Sequence, residues 1–205
     1  MNQPIAWIEA GGGPPVIFLH GVGGSCTAWG PQLRGLSDRF RCIAWDMPGY
    51  GDSELVEPLT FEAIADRLVG LLDTLSIERA DLVGLSFGGM HAMHTALRHP
   101  ERVNRLVLAD TSPRFGANGT TAAEWTAARM EPLDRGETLA DAAERAIDAI
   151  TSMTLTGQIR DEIVGAYGRI PVDGFRASLR CLPTHDVLDQ LDAITHPTRA
   201  IVGEL

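Results

Sequence analysis

Four short apolar runs alternate with stretches of helical periodicity, and this alternation restricts the fold more than any other feature of the chain. The runs are PPVIFLH (14–20), RCIAWD (41–46), ADLVGL (80–85) and VNRLVLAD (103–110). Each has the length and apolar continuity of a strand buried on both faces. Between them, a helix is predicted around 29–36. Phe61, Ile64, Ala65, Leu68, Leu71, Leu72 and Leu75 recur at helical spacing, and FGGMHAMHTALRH (87–99) reads as a further helix that Pro100 stops. Strands that alternate with helices need crossover connections. The expected class is therefore α/β, with a mostly parallel sheet and helices on both faces.

The pattern then changes. From 114 to 196 helix-forming stretches follow one another, namely TTAAEWTAARMEPL, TLADAAERAIDAITSM, TGQIRDEIVGAYGRI, VDGFRASLRCL and DVLDQLDAI. PTRAIVGEL (197–205) returns to strand chemistry. The expected organisation is a core over 1–113, an inserted helical cap over 114–196, and a return to the core over 197–205.

The 205 residues are 44% hydrophobic with 21% charged, enough for one substantial core. A formal net charge of −10 and the lack of any basic run argue against nucleic-acid and membrane-surface partners. No apolar run is long enough to span a membrane, and MNQPIAWIEA does not read as a signal peptide. The three cysteines, Cys26, Cys42 and Cys181, form neither a disulfide framework nor a metal pattern, which fits a reducing, cytoplasmic setting. No phosphate-cradling G-x-G-x-x-G and no metal-ligand cluster is present, so no cofactor is expected. The sequence sets no oligomeric state.

The chemistry concentrates at Gly84-Leu85-Ser86-Phe87-Gly88, a G-x-S-x-G between a predicted strand and a predicted helix. A sharp strand-to-helix turn lifts the Ser86 hydroxyl clear of the sheet. Glycine two residues to either side avoids collision with neighbouring backbone, and the first amides of the helix face developing negative charge. HGVGG (20–24) ends the first strong strand and offers a second amide. The candidate oxyanion donors are the N–H groups of Val22 and Phe87.

FLHGVGGSCTAW, DMPGYGDS and LVGLSFGGM together resemble the α/β-hydrolase superfamily. GLSFGGM, LADTSPRFG and DQLDAITHPTRAIVGE are most similar to 3-oxoadipate enol-lactonases and related esterases. The resemblance implies Ser86 as nucleophile, Val22 and Phe87 as oxyanion donors, and a largely architectural role for Asp46, Asp52 and Ser53. It also excludes the dehalogenase branch, which uses an aspartate nucleophile. In relatives the triad acid and then the histidine follow the strand that reads PTRAIVGE here. Both are therefore expected beyond Leu205, in a last strand and helix that this chain lacks. Asp110, at the end of the strand after Ser86, is an alternative acid. His20 is expected to bond backbone, His91, His94 and His99 to point away from the start of their helix, and His185 and His196 to lie at the surface or to cap.

Three functional readings follow. The first is a serine hydrolase of a small-molecule carboxylic ester or lactone. The second is hydrolytic C–C cleavage of a diketone on the same fold. The third is a catalytically silent chain. Trp125, Met130, Met153 and Phe175 are candidate walls of the substrate pocket, or else core of the cap. Arg114, Arg129 and Arg176 are candidate partners for a substrate carboxylate.

Overall fold

The computed structural model describes residues 4–116, 119–150 and 155–203. In chain order the elements are β1 (Trp7–Ala10), β2 (Pro15–Leu19), α1 (Gly30–Leu36), β3 (Arg41–Trp45), α2 (Phe61–Thr74), β4 (Ala80–Leu85), α3 (Phe87–Arg98) and β5 (Val103–Ala109). Four helices follow, α4 (Ala122–Asp134), α5 (Leu139–Ile150), α6 (Gly157–Gly168) and α7 (Val172–Cys181), and then β6 (Thr198–Ile201).

The strands form one sheet in the order β1-β3-β2-β4-β5-β6, with every pairing parallel except β1 with β3. In β2 and β3, Val16–Leu19 and Cys42–Trp45 are apolar and buried because both faces are covered. On β2, Ile17 and Leu19 face the core built with α2 and α3, while Val16 and Phe18 face a second core with Trp29 and Leu33. β3 divides in the same way, with Ile43 and Trp45 on one side and Cys42 and Ala44 on the other. The stripe of α2 is buried at Phe61, Ile64, Ala65, Leu68, Leu71 and Leu72, and the Thr60 hydroxyl caps its start by accepting from the Ala63 amide at 3.2 Å.

Two features depart from the sequence expectations. β1 was not anticipated: four residues with exposed Trp7 and Ile8 carry little periodicity, and pairing with β3 creates the strand. The expected helix DVLDQLDAI is a 3-10 turn over Leu188–Ala193, confined between Pro183 and Pro197 and tightened by Asp186 Oδ1, which accepts from the Leu188 amide. The apolar run leading to Val202 forms β6 at the sheet edge, an exposed hydrophobic edge as the sequence suggests, with Ile201 at 52% and Val202 at 74% exposure.

The segments that flank the four inserted helices are zipped together. The Phe115 amide donates to His185 O, the Val187 amide donates to Pro113 O, and Arg114 pairs with Asp186 across an antiparallel bridge. His185, expected at the surface, is buried under this neck. Its Nε2 donates to Ser112 O at 2.8 Å, so its Nδ1 is the acceptor for His94 Nε2 at 3.1 Å. His94 in turn stacks on Phe61 with ring centroids 4.1 Å apart. One turn earlier on α3, His91 is fully buried among Phe87, Phe61 and Trp45, with no hydrogen-bond partner for either ring nitrogen.

Burial is the first cause that lowers the pKa of His91, His94 and His185, with His94 brought to about 4. Unfolding restores the ordinary value near 6.5, so the unfolded chain binds more protons in the interval below it. Stability is therefore fully present above about pH 6.5 and falls as the pH drops below it, for His94 down to about pH 4. Urea midpoints measured between pH 7 and pH 5 should fall, and His94→Gln should flatten the fall. A midpoint independent of pH over that range would contradict the account.

Candidate active site

β2 and β4 lie side by side in register, with Leu19 opposite Gly84. Their carboxyl ends therefore emerge together, β2 into the turn at His20–Gly24 and β4 into Ser86. The chain leaves β2 towards β3 on one side and β4 lies on the other, so this is a switch point where open α/β sheets form their ligand crevice.

Ser86 has φ 52° and ψ −117°, a left-handed conformation costing a non-glycine residue on the order of 1–3 kcal/mol. Surrounding bonds hold it there. Its amide donates to Ala109 O at 2.8 Å, and its carbonyl accepts from the Thr111 hydroxyl at 2.8 Å and from the Gly89 amide at 2.9 Å. The glycines have the role expected of them. A Cβ on Gly84 would collide with the backbone of Gly88 and Gly89, and one on Gly88 would collide with the carbonyls of Leu19 and His20. Ser86 is the N-cap of α3, yet its side chain makes no capping bond. Serine usually spends its oxygen in this way; here Oγ has no hydrogen-bond partner among the described residues.

The turn after β2 is fixed just as firmly. A Cβ at Gly21 would lie 3.5 Å from Ser86 Cβ and 4.0 Å from its Oγ, so the turn borders the hydroxyl. The Gly21 carbonyl accepts from His20 Nδ1 at 2.8 Å and from the Gly24 amide at 3.0 Å. In a trans peptide the following N–H points the opposite way, so these two bonds set the direction of the Val22 amide. The next carbonyl, of Val22, accepts from the Tyr50 hydroxyl at 2.7 Å. His20 Nε2 accepts from the Met47 amide at 3.1 Å, and His20 thus uses both ring nitrogens as a neutral imidazole. Burial lowers its pKa and keeps it neutral. It bonds backbone, as the sequence reading held. On the other side of the crevice, the first amide of α3, at Phe87, has no acceptor within the helix.

The neighbouring loop is architectural. Asp46 is buried and accepts from the Cys26 amide at 2.7 Å and the Cys26 thiol at 3.2 Å. The Ser53 hydroxyl donates to Asp46 O and accepts from the Ala6 amide. Asp110 is exposed with φ 43°, and its Oδ1 accepts from the Gly203 amide at 3.2 Å. No histidine is hydrogen-bonded to Ser86 or to Asp110 among the described residues. His99 pairs with Asp66, and His196 with Pro100 O.

The four candidate wall residues separate. Trp125 is half-buried and meets Phe115 edge-on at 5.6 Å. Met130 lines an open groove of about 620 Å³ between α4 and the end of α7, with Thr126, Glu131 and Arg180. Phe175 is 1% exposed and packs edge-on against Tyr167, in the core of the inserted helices. Met153 lies outside the described residues. The sequence reading missed Tyr167, whose ring covers Gly23 so closely that a Cβ there would collide with it. Its only signal was an aromatic residue in a helix of weak amphipathicity.

The model of the alpha/beta hydrolase fold family matches residues 14–153. The chain belongs to this family. Within it, the chain is 33% identical over 215 aligned residues to a pimeloyl-[acyl-carrier protein] methyl ester esterase of Photobacterium profundum, covering all of this chain and 81% of the esterase. It is 25% identical to 3-oxoadipate enol-lactonase 1 of Acinetobacter baylyi, over 93% of this chain and 70% of that enzyme. A 2-hydroxymuconate semialdehyde hydrolase of a Pseudomonas strain is 46% identical over 105 residues, 49% of this chain but 37% of that enzyme, so the match spans well under half of it. Among solved structures, a hydrolase from Pseudomonas aeruginosa superposes with a TM-score of 0.84 at 27% identity, over 97% of this chain and 76% of its own. As an alpha/beta hydrolase with esterase and lactonase relatives, the chain has the superfamily and fold expected from its motifs.

Thr111→Val removes one of the bonds that hold the Ser86 carbonyl and keeps the side chain's shape. A single hydrogen bond contributes about 0.5–1.5 kcal/mol, so the protein should remain folded. The elbow should relax, and labelling of Ser86 by a fluorophosphonate should slow about tenfold or more, as follows when a positioning contact is lost. Labelling at the parent rate would show that the Thr111 bond does not hold the elbow.

Proposed function

We propose that this chain carries the nucleophile and oxyanion machinery of a serine hydrolase that cleaves a carboxylic ester or lactone through an acyl-enzyme. The observation that carries the reading is Ser86 itself, held at positive φ at a strand-to-helix elbow with its Oγ unengaged, beside a turn whose amide direction is fixed. Oγ attacks the substrate carbonyl and loses its proton to a base. The carbonyl oxygen takes up the negative charge and receives the N–H groups of Val22 and Phe87. Collapse expels the alcohol, and water then releases the acid. None of the six histidines is hydrogen-bonded to Ser86 among the described residues, so the base and its orienting acid are assigned outside the described residues. The inserted helices act as the cap over the site. A small-molecule substrate follows from the reading, and the free, buried thiols of Cys26, Cys42 and Cys181 fit a cytoplasmic setting. No helix among the described residues is long and apolar enough to cross a membrane.

A second reading, hydrolytic cleavage of a C–C bond in a diketone, is kept by the likeness to the semialdehyde hydrolase. It uses the same residues and differs only in the bond broken.

The test uses the protein as its gene encodes it. A short aryl ester should be hydrolysed, and an intact-mass shift with a fluorophosphonate should map to Ser86. Ser86→Ala should abolish both, a loss of roughly 10⁴-fold or more in turnover. Labelling at Ser25, Ser53 or Ser112 instead would contradict the assignment, and cleavage of a vinylogous diketone faster than of any ester would favour the second reading. His20→Asn, His94→Gln and His185→Gln should each keep turnover far above the Ser86→Ala level. A fall to that level in one of them would place the base inside the described residues.

A further inference from the structure

The inserted helices touch both the turn after β2 and the loop that fixes it. The Tyr167 ring of α6 lies against Gly23, where a Cβ would collide with Cδ2 and Cε2 of the ring. The ring is buried and meets Phe175 of α7 edge-on, with centroids 5.4 Å apart. α6 also packs on the 3-10 turn Cys26–Trp29, which begins two residues beyond Gly24. α7 approaches the DMPGYGDS loop backbone to backbone. A Cβ on Gly174 would collide with Gly49 O, and one on Gly49 would lie 2.9 Å from Gly174 Cα. The next residue is Tyr50, fully buried, whose hydroxyl donates to Val22 O at 2.7 Å.

These contacts converge on one peptide group. The Val22 carbonyl and the Gly23 Cα share a peptide plane, so Tyr50 holds that plane at one end and Tyr167 at the other. Through the Val22 Cα it is joined to the Gly21–Val22 peptide, whose carbonyl is held by His20 and by the Gly24 amide. With the planes on both sides fixed, the backbone angles of Val22 are fixed, and its N–H has one direction. Burial pushes the Tyr50 phenol up, so the donor stays protonated. Gly174 stands inside α7, where glycine disfavours a helix, and its place there is explained by the approach to Gly49. A cap that only encloses substrate needs no contact with this turn.

We propose that Tyr167 and Tyr50 are positioning residues of the oxyanion turn, and that α6 and α7 act on turnover through them: seated on the core, the inserted helices hold the Val22–Gly23 peptide and so aim the Val22 amide. The bracing of the turn rests on the contacts above, and its effect on turnover rests on the serine-hydrolase reading. An insertion lifted from the core leaves the Val22 amide free to turn away. The site then stabilises negative charge only while the insertion is seated.

Two measurements separate this proposal from the reading on which it rests. The first needs no turnover. Hydrogen exchange of the Gly24 amide, which bonds Gly21 O, reports opening of the turn, and exchange at Ile17 in β2 reports opening of the sheet. In Ser86→Ala, adding Tyr50→Phe or Tyr167→Ala should speed exchange at Gly24 about tenfold or more with Ile17 unchanged. Tyr167→Phe keeps the ring and should leave both at the rates of Ser86→Ala alone. The second measurement follows a short aryl ester in the active enzyme. Tyr50→Phe and Tyr167→Ala should each lower kcat about tenfold with KM within about threefold, the pattern of stabilisation lost in the transition state alone. The double variant should lose less than the product of the two, because both residues hold one peptide. Tyr167→Phe should keep kcat. If Tyr167→Ala speeds exchange at Ile17 as well, Tyr50→Phe decides. Faster exchange at Gly24 in a protein that hydrolyses no ester would uphold the bracing and sink the serine reading. Exchange at Gly24 unchanged by Tyr50→Phe, or losses that fall on KM with kcat kept, would overturn the proposal.

Discussion

The structure depends on one backbone constraint, Ser86 held at φ 52°. A serine left to itself relaxes out of that conformation, and its hydroxyl would cap the helix it begins. Neither happens, because the amide is bound to Ala109 at the end of β5 and the carbonyl is bound to Thr111 and the first turn of α3. The strain is sustained by the sheet and the helix together, the circumstance in which such geometry persists. The requirement for Gly84 and Gly88 follows: any side chain at either would push β4 away from α3, or α3 away from the end of β2.

The second amide is built by the same logic from a different set of residues. His20, Gly24 and Tyr50 between them hold both peptide groups of the turn after β2. The buried histidine contributes through geometry: its Nδ1 is spent on Gly21 O and its Nε2 on the Met47 amide, so no ring nitrogen is left to take a proton. Tyr50 stands on the DMPGYGDS loop, so that loop sets the direction of the turn after β2.

The legible part of this protein was the part in which one residue type has one physical reason. Val16–Leu19 and Cys42–Trp45 in β2 and β3 are apolar because both their faces are buried, and G-x-S-x-G after an apolar strand has few uses. Residues defined by tertiary partners were hidden. Trp7–Ala10 becomes a strand only through β3. His185 reads as a polar residue in a turn, yet it is buried because the neck of the insertion closes over it and His94 and Ser112 supply its bonds. The cover over the turn after β2 is illegible for the same reason: Tyr167 reaches Gly23 from a helix far along the chain, by a contact that no local pattern records. Arg114, Arg129 and Arg176 are alike in sequence, and only the carboxylates beside two of them tell them apart.

The central claim is geometric: the Ser86 hydroxyl and the amides of Val22 and Phe87 converge on one atom. A crystal structure of the protein with Ser86 phosphonylated tests it most directly, since the phosphoryl oxygen stands where the oxyanion of an acylation intermediate would. The account predicts that oxygen within about 2.7–3.1 Å of both amide nitrogens. A phosphoryl oxygen turned to solvent and bonded to neither amide would contradict it.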